Sequence, residues 1–549
     1  LTAAGVAANL GGVALMTVPG LGLTELLAPL RRLPWPRRLG YAFLLGVGAL
    51  GAALFAASHL AGVPLRRPVI VWTALAPAAL GAAACVARRR RGAADTPARR
   101  EADAGAGGTW PQENKPPVTA APETGAAATA VPAALAPPAA RAETAPSGPA
   151  PERPAGLQRR AGHRLRLALG LAVAVALAGP LISALTSPLA DWDGRMTWGP
   201  LAAYLRQEGT VDAEVLRDAH WLVLHPRYPP LLPLAQEAIQ ELFGAGQDDQ
   251  YFRALYVAFL GALLTVVFDG AKRAAGRRAA ELTVICAALP PFLSYGGGGA
   301  TSAYSDMALA AFYGGALVLL LAWPPRVATG FAAGCLLAAG VLTKNEGELL
   351  AAAALVLAAS RLGWRGSRGS HGSHGSRRSV AAGRHLAWLG AAALPVLAAA
   401  ALLASWRAAI PNREDEDYFA GLRLGELVHG AASRLSSLAG TALRLTFMDW
   451  TWLGFWVVYV VVVLAGRRAL ARPLAWRLAV AGLVPVAIGC AAYAVSTRPG
   501  PLIDETWQRF LLQGWVPFAA VFACALASLL AQLPGGAWRP WRRRRRLSP

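Results

Sequence analysis

The chain has 549 residues, of which 55% are hydrophobic and only 15% charged, and it carries a formal net charge of +22. Soluble proteins average roughly 25% charged residues, so this deficit, with a mean hydropathy of +0.40, excludes an ordinary soluble class. The charge does not point to nucleic acid, because the arginines sit in short clusters between apolar runs, where the positive-inside rule places them.

Runs of about 18 or more predominantly apolar residues are long enough to cross a bilayer. Tyr41 to Leu60, Leu165 to Leu185 and Leu478 to Val495 are examples. The expectation is an all-α polytopic membrane protein with about thirteen transmembrane helices. They fall at roughly 5–30, 39–60, 68–87, 165–187, 251–268, 279–296, 307–323, 327–343, 347–361, 385–405, 443–465, 478–496 and 508–531. The five cysteines, Cys85, Cys286, Cys335, Cys490 and Cys524, all lie inside apolar runs. They read as small buried hydrophobes, with no disulfide and no cysteine-bound metal expected. Residues 1–30 lack the short apolar region and small-residue site of a cleaved signal peptide.

Charge clusters fix the orientation. They occur at Arg31–Arg38, Arg88–Arg91, Arg159–Arg166, Lys272–Arg278, Arg361–Arg378, Arg467–Arg477 and Arg542–Arg546. One apolar segment precedes the first cluster, and every later gap holds an even number. An even number of crossings returns the chain to the same side, so all clusters are placed in the cytoplasm. Residues 1–88 then form an N-terminal group of about three helices, and 89–163 a cytoplasmic linker. A transmembrane core follows over 164–535, and 536–549 is a basic cytoplasmic tail. The stretch 92–158, built from Ala, Pro, Glu, Thr and Gly, has too little apolar surface to offset ordering entropy and is expected to be disordered. The GSRGSHGSHGSRR run at 366–378 reads as a second flexible loop and not as a histidine metal site.

The outer face carries the candidate chemistry. Its largest loop, about 188–250, is rich in Trp, Tyr, Leu and Pro, and loops this long are usually functional or disordered. It opens with Asp191-Trp192-Asp193-Gly194-Arg195-Met196-Thr197-Trp198. Trp198, Leu201 and Leu205 follow at helical spacing, which suggests a short interfacial helix with a carboxylate at headgroup level. An N-cap aspartate is the equal alternative. His225-Pro226-Arg227-Tyr228-Pro229-Pro230-Leu231-Leu232-Pro233 is expected to be a rigid, non-helical path. Tyr304 and Asp306 open another span from outside, where a capping role is the plain reading. Leu342-Thr343-Lys344-Asn345-Glu346-Gly347-Glu348 gathers an ammonium and two carboxylates in a turn at the bilayer edge, where ionisable groups are functional candidates. Arg509 heads the last span, as a snorkelling anchor or a phosphate clamp. A second outer loop, about 406–442, holds the acidic run Glu414 to Asp417.

In this order the motifs resemble the GT-C superfamily of multi-spanning glycosyltransferases. The resemblance is to a bacterial branch related to the dolichyl-phosphate-mannose protein mannosyltransferases. That branch reads W-D-x-W-x-x-W-x-x-K-A, then H-P-D-Y-P-L-L-L-P, Y-A-D-x-P-L-A, T-K-N-E-G and R-L-L-x-x-x-x-P. Trp192-Asp193 and Trp198 match the first motif, with Arg195 in place of its middle Trp and Leu201 where the Lys stands. His225-Pro226, Tyr228-Pro229 and Leu231-Leu232-Pro233 match the second, with Arg227 replacing Asp. Tyr304, Asp306, Leu309 and Ala310 match the third, Thr343 to Gly347 the fourth in full, and Arg509, Leu511 and Pro517 the last in part.

The resemblance covers about residues 165–531 and implies a GT-C-like core with a large first extracytoplasmic loop. It implies an inverting transfer of a sugar from a polyprenyl-phosphate carrier to a glycan, lipid or protein acceptor outside a bacterial plasma membrane. Asp193 is the expected base, with Asp191 in reserve. Lys344 and Arg509 are the expected phosphate binders, supported by His225 and Arg227. Tyr228, Tyr304, Asp306, Asn345 and Glu346 complete the substrate-binding set. The scheme requires no cofactor and no metal site, and it is compatible with a divalent cation. A lipid-linked-sugar flippase and a non-catalytic envelope scaffold are the alternatives.

Overall fold

The computed structural model describes residues 2–105, 155–218, 225–244, 249–363, 375–411, 424–496 and 499–532. Helices make up the architecture, and no strand occurs among the described residues. They are α1 (Ala3–Leu26), α2 (Trp35–Ala61), α3 (Arg67–Gly105), α4 (Ala155–Thr186), α5 (Gly199–Glu208), α6 (Leu231–Phe243), α7 (Ala254–Ala275), α8 (Arg277–Ala288) and α9 (Ser305–Leu317). Then come α10 (Val327–Val341), α11 (Glu346–Gly363), α12 (Gly375–Ala408), α13 (Leu424–Phe447), α14 (Phe455–Ala465), α15 (Pro473–Val495), α16 (Pro499–Gln513) and α17 (Trp515–Leu530).

Eight of the described helices are long and apolar enough to cross a membrane: α1, α2, α3, α4, α7, α9 with its π-helical extension to Ala322, α12 and α15. The bent pair α16–α17 passes the same test as one broken span. The chain is therefore a multi-pass α-helical membrane protein. The remaining expected spans fall on helices that are shorter or more polar. Pro290 and Pro291 follow the end of α8, whose 12 residues are less than a bilayer needs. α10 has 15 residues and α14 has 11. α11 carries Glu346, Glu348 and Arg361 at its ends.

Three elements differ from the sequence expectation. The apolar run 443–465 is not one helix: α13 ends at Phe447, and the chain turns through left-handed Leu453 and Gly454 before α14. The last span starts earlier than expected, at Pro499, and bends by 57° at Gly514. Leu231 to Pro233, expected to be non-helical, form the first turn of α6, a position where the missing proline N–H has no intrahelical partner to lose. α5 has the expected register, and its buried Leu201, Ala202 and Leu205 join the protein core.

The chain divides into two units, residues 1–85 with 165–549, and residues 86–164. In the second unit, helix α3 continues to Gly105 and α4 begins at Ala155. The middle of the expected linker, the basic tail, the 366–374 loop and the acidic run 414–417 lie outside the described residues.

Within the first unit, helix contacts run through small residues. A Cβ on Gly330 or Gly334 of α10 would stand 2.2 or 2.3 Å from the Trp388 or Ala392 carbonyl of α12. This is the small-xxx-small route to close approach, which gains dispersion contact where lipid supplies no hydrophobic driving force. The same holds for α1 against α2 at Gly20 and Gly46.

Candidate functional site

Four segments far apart in sequence meet at one end of the bundle. They are the turn after α4, the start of α9, the α10–α11 turn, and α16 before its bend. Asp306, in the first turn of α9, is the hub and is 1% exposed. Its Oδ1 accepts from Lys344 Nζ at 2.9 Å and from Gln513 Nε2 at 2.9 Å. Arg509 Nε lies 4.0 Å from its Oδ2. Lys344 also contacts Glu346 at 3.0 Å, and Arg509 Nη2 contacts Asp193 at 2.8 Å. The Arg509 guanidinium lies over the Tyr304 ring, 4.4 Å from its centroid, and the Tyr304 hydroxyl accepts from the Asp193 backbone N–H at 3.2 Å.

These contacts settle several local alternatives. Asp193 stands at the N-cap position of a π-helical turn, Gly194–Trp198, but its side chain makes no cap hydrogen bond and pairs with Arg509 instead. The α9 start likewise has no side-chain cap, and Asp306 turns to Lys344 and Gln513. The Arg509 side chain is 13% exposed and ion-paired, so it does not snorkel to solvent. Gly298 lies against both Asp306 and Arg509. It adopts φ +97°, and a Cβ there would sit 3.2 Å from the Asp306 Cβ.

The charges are unevenly matched, since three carboxylates surround two cations. Burial pushes the Lys344 ammonium down, but Asp306 and Glu346 beside it prevail, so its pKa stands well above the usual lysine range. It is a fixed cation at every physiological pH. Asp191 is half-buried and outside this pairing. Burial raises its carboxyl pKa against the opposing pull of Arg253.

The remaining expected residues form a neighbouring group. His225, at φ +55°, stacks on Tyr228 with ring centroids 4.5 Å apart, and Tyr228 lies 5.5 Å from Trp198. Asn345 accepts from Arg407 Nη2 at 2.5 Å. Arg407 also holds Glu348 at 2.7 Å and donates to the Arg227 carbonyl at 3.0 Å. The Arg227 side chain is therefore not part of the Asp306 cluster, although its backbone is tied to the same turn.

No family model, no curated protein and no solved structure matches this chain. The site is thus argued from its own geometry. Among the described residues, no group of three His, Cys, Asp or Glu side chains is arranged to hold a metal ion.

Sequence reasoning missed three residues that build the site. Gln513 lies one helical turn beyond Arg509 on α16, an i,i+4 spacing that places both on one face and was legible as a signal. Arg253 is buried and donates to the Ser183, Ser187 and Thr301 carbonyls, fixing the end of α4 against the loop before α9. Arg407, in the last turn of α12, carries no motif that would mark it, and its role is visible only in its contacts to Asn345 and Glu348.

Proposed function

We propose that the chain is an inverting glycosyltransferase. It takes a sugar from a polyprenyl-phosphate carrier and passes it to an acceptor hydroxyl on the extracytoplasmic face of a bacterial plasma membrane. The observation that carries this reading is the convergence of Asp193, Tyr304, Asp306, Lys344 and Arg509 at one end of apolar helices. A lipid-borne phosphate and a water-soluble acceptor can both reach such a place.

The chemistry follows from the pairings. The phosphate of the donor competes with Asp193 for Arg509, because both are anionic ligands of one guanidinium. As Arg509 turns to the phosphate, Asp193 is released and becomes free to accept a proton. The acceptor oxygen then bonds to the anomeric carbon as its proton passes to Asp193. The bond from that carbon to the phosphate oxygen breaks, and its electron pair leaves with the polyprenyl phosphate. Lys344 and Arg509 hold the charge that develops there. Asp306 positions both cations, and donor binding itself exposes the base. A variant of this scheme uses Asp191 as base, favoured by its raised pKa, since a base is most effective when its pKa approaches the working pH.

The test uses purified protein in vesicles with a radiolabelled polyprenyl-phosphate sugar and a soluble acceptor. The expected result is a glycoside of inverted anomeric configuration, with one polyprenyl phosphate released per sugar transferred. Passage of intact donor between leaflets without cleavage contradicts the proposal and supports a flippase.

A further inference from the structure

A second charged station lies at the opposite ends of the same helices. α9 with its extension runs from Ser305 to Ala322, so Asp306 and Trp323 are separated by roughly 25 Å along one helix axis. Around Trp323 there is a cavity of about 420 Å³, a size typical of ligand pockets of roughly 300–1,000 Å³. Arg32, Arg37, Lys272, Arg273 and Arg326 line it, and among the described residues no carboxylate does.

Two of the five cations are held rigidly from behind. Asp269 is fully buried and accepts from Arg37 Nη1 at 2.8 Å, Arg273 Nε at 3.0 Å and Trp323 Nε1 at 3.0 Å. The Arg273 guanidinium lies on the Trp323 ring, 3.5 Å from its centroid. Each of these arginines donates to Asp269 through one nitrogen, which leaves the rest of its five-donor fork for another acceptor. Arg32, Lys272 and Arg326 form no ion pair among the described residues. Positive-inside placement explains cations at this end of the helices. It does not require them to converge on one cavity, nor to be oriented by a buried carboxylate and an indole.

We propose that this cavity is a binding site for a phosphate-bearing anion, separate from the sugar-transfer site. Five cations against one carboxylate leave an excess that a phosphate neutralises, and preformed guanidinium forks match phosphate oxygens in geometry. Basic pockets between transmembrane helices are a known setting for lipid phosphate headgroups, and a soluble phosphate presents the same chemistry.

The experiment has two arms and two charge-matched variants. Full-length protein is reconstituted in phosphatidylcholine nanodiscs. Binding is measured with phosphatidylglycerol in one arm, by native mass spectrometry, and with inorganic pyrophosphate in the other, by thermal shift. The site variant is Arg32→Gln with Lys272→Gln, two side chains without an ion partner to lose. The control is Arg467→Gln with Arg468→Gln, which removes the same charge from exposed positions. Saturable binding is expected in at least one arm, and that arm identifies the source of the phosphate. The site variant weakens it by about tenfold or more, and the control leaves it within about twofold. Lack of saturable binding by the wild type in both arms overturns the proposal. Equal loss in the two variants does so too, because it marks a general charge effect. If the site variant does not fold, Lys272→Glu alone is measured, and unchanged binding in that variant has the same meaning.

Discussion

At the residue scale, burial decides how each ionisable group behaves. Lys344 and Asp306 form a buried pair held in place by Gln513 and Glu346. Removing one partner strands the other, which typically costs roughly 3–5 kcal/mol. Lys344→Met is therefore expected to lower thermal stability sharply, and adding Asp306→Asn should restore part of it. Additive losses in that double-mutant cycle contradict the pairing. Glu237, on α6, has 0% exposure and no hydrogen-bond partner for either carboxyl oxygen. Burial, aided by Glu241, pushes its pKa up to about 8. A raised acid favours the folded state in its protonated form. Its contribution is full below the usual glutamate range and is lost as pH rises toward and through about 8. Melting temperature is expected to fall between about pH 4.5 and pH 8 in the wild type and to fall less in Glu237→Gln. Parallel profiles would show that Glu237 does not carry the effect. The charged members of the site are legible in the sequence because Asp, Lys and Arg are conspicuous beside apolar spans. The spacing also marks Gln513 as sharing a helix face with Arg509, but it cannot show that α16 places Gln513 against Asp306, 207 positions earlier.

Close helix approach is the dominant device at the scale of elements. Gly330 and Gly334 set α10 against α12, and a side chain there meets backbone, which cannot yield by changing rotamer. Gly334→Val is expected to destabilise the protein by roughly 1–3 kcal/mol or more, as overpacking does. Gly390→Ala, on α12 with nothing within 4 Å of its added Cβ, should be neutral or slightly stabilising. Thermal unfolding of the two variants separates them, and equal melting temperatures contradict this packing. Long apolar runs showed the helices well. Interruptions escaped notice because Leu453 takes a left-handed conformation that its residue type does not advertise, and because a 57° bend at Gly514 leaves hydropathy unbroken. The His-Pro motif misled for a different reason: prolines that forbid a helix interior are tolerated in a first turn.

For the whole molecule, the expected orientation rests on the sequence reading that each gap between arginine clusters holds an even number of crossings. In a background lacking the five native cysteines, Gln207→Cys is expected to react with an impermeant reagent in intact cells. Gly125→Cys should react only after permeabilisation. Labelling of both from outside contradicts the topology. The central claim is sugar transfer with Asp193 as the proton acceptor. It is tested most directly by turnover of the radiolabelled donor in Asp193→Asn and Asp191→Asn, with thermal stability followed in parallel. Asn keeps the size of Asp but accepts no proton at neutral pH. The account predicts a loss of roughly 10²–10⁴-fold in Asp193→Asn with the fold intact, the usual size of a general-base contribution, and a smaller loss in Asp191→Asn. A large loss in Asp191→Asn alone moves the base to that residue, whereas near-wild-type turnover in both contradicts the account.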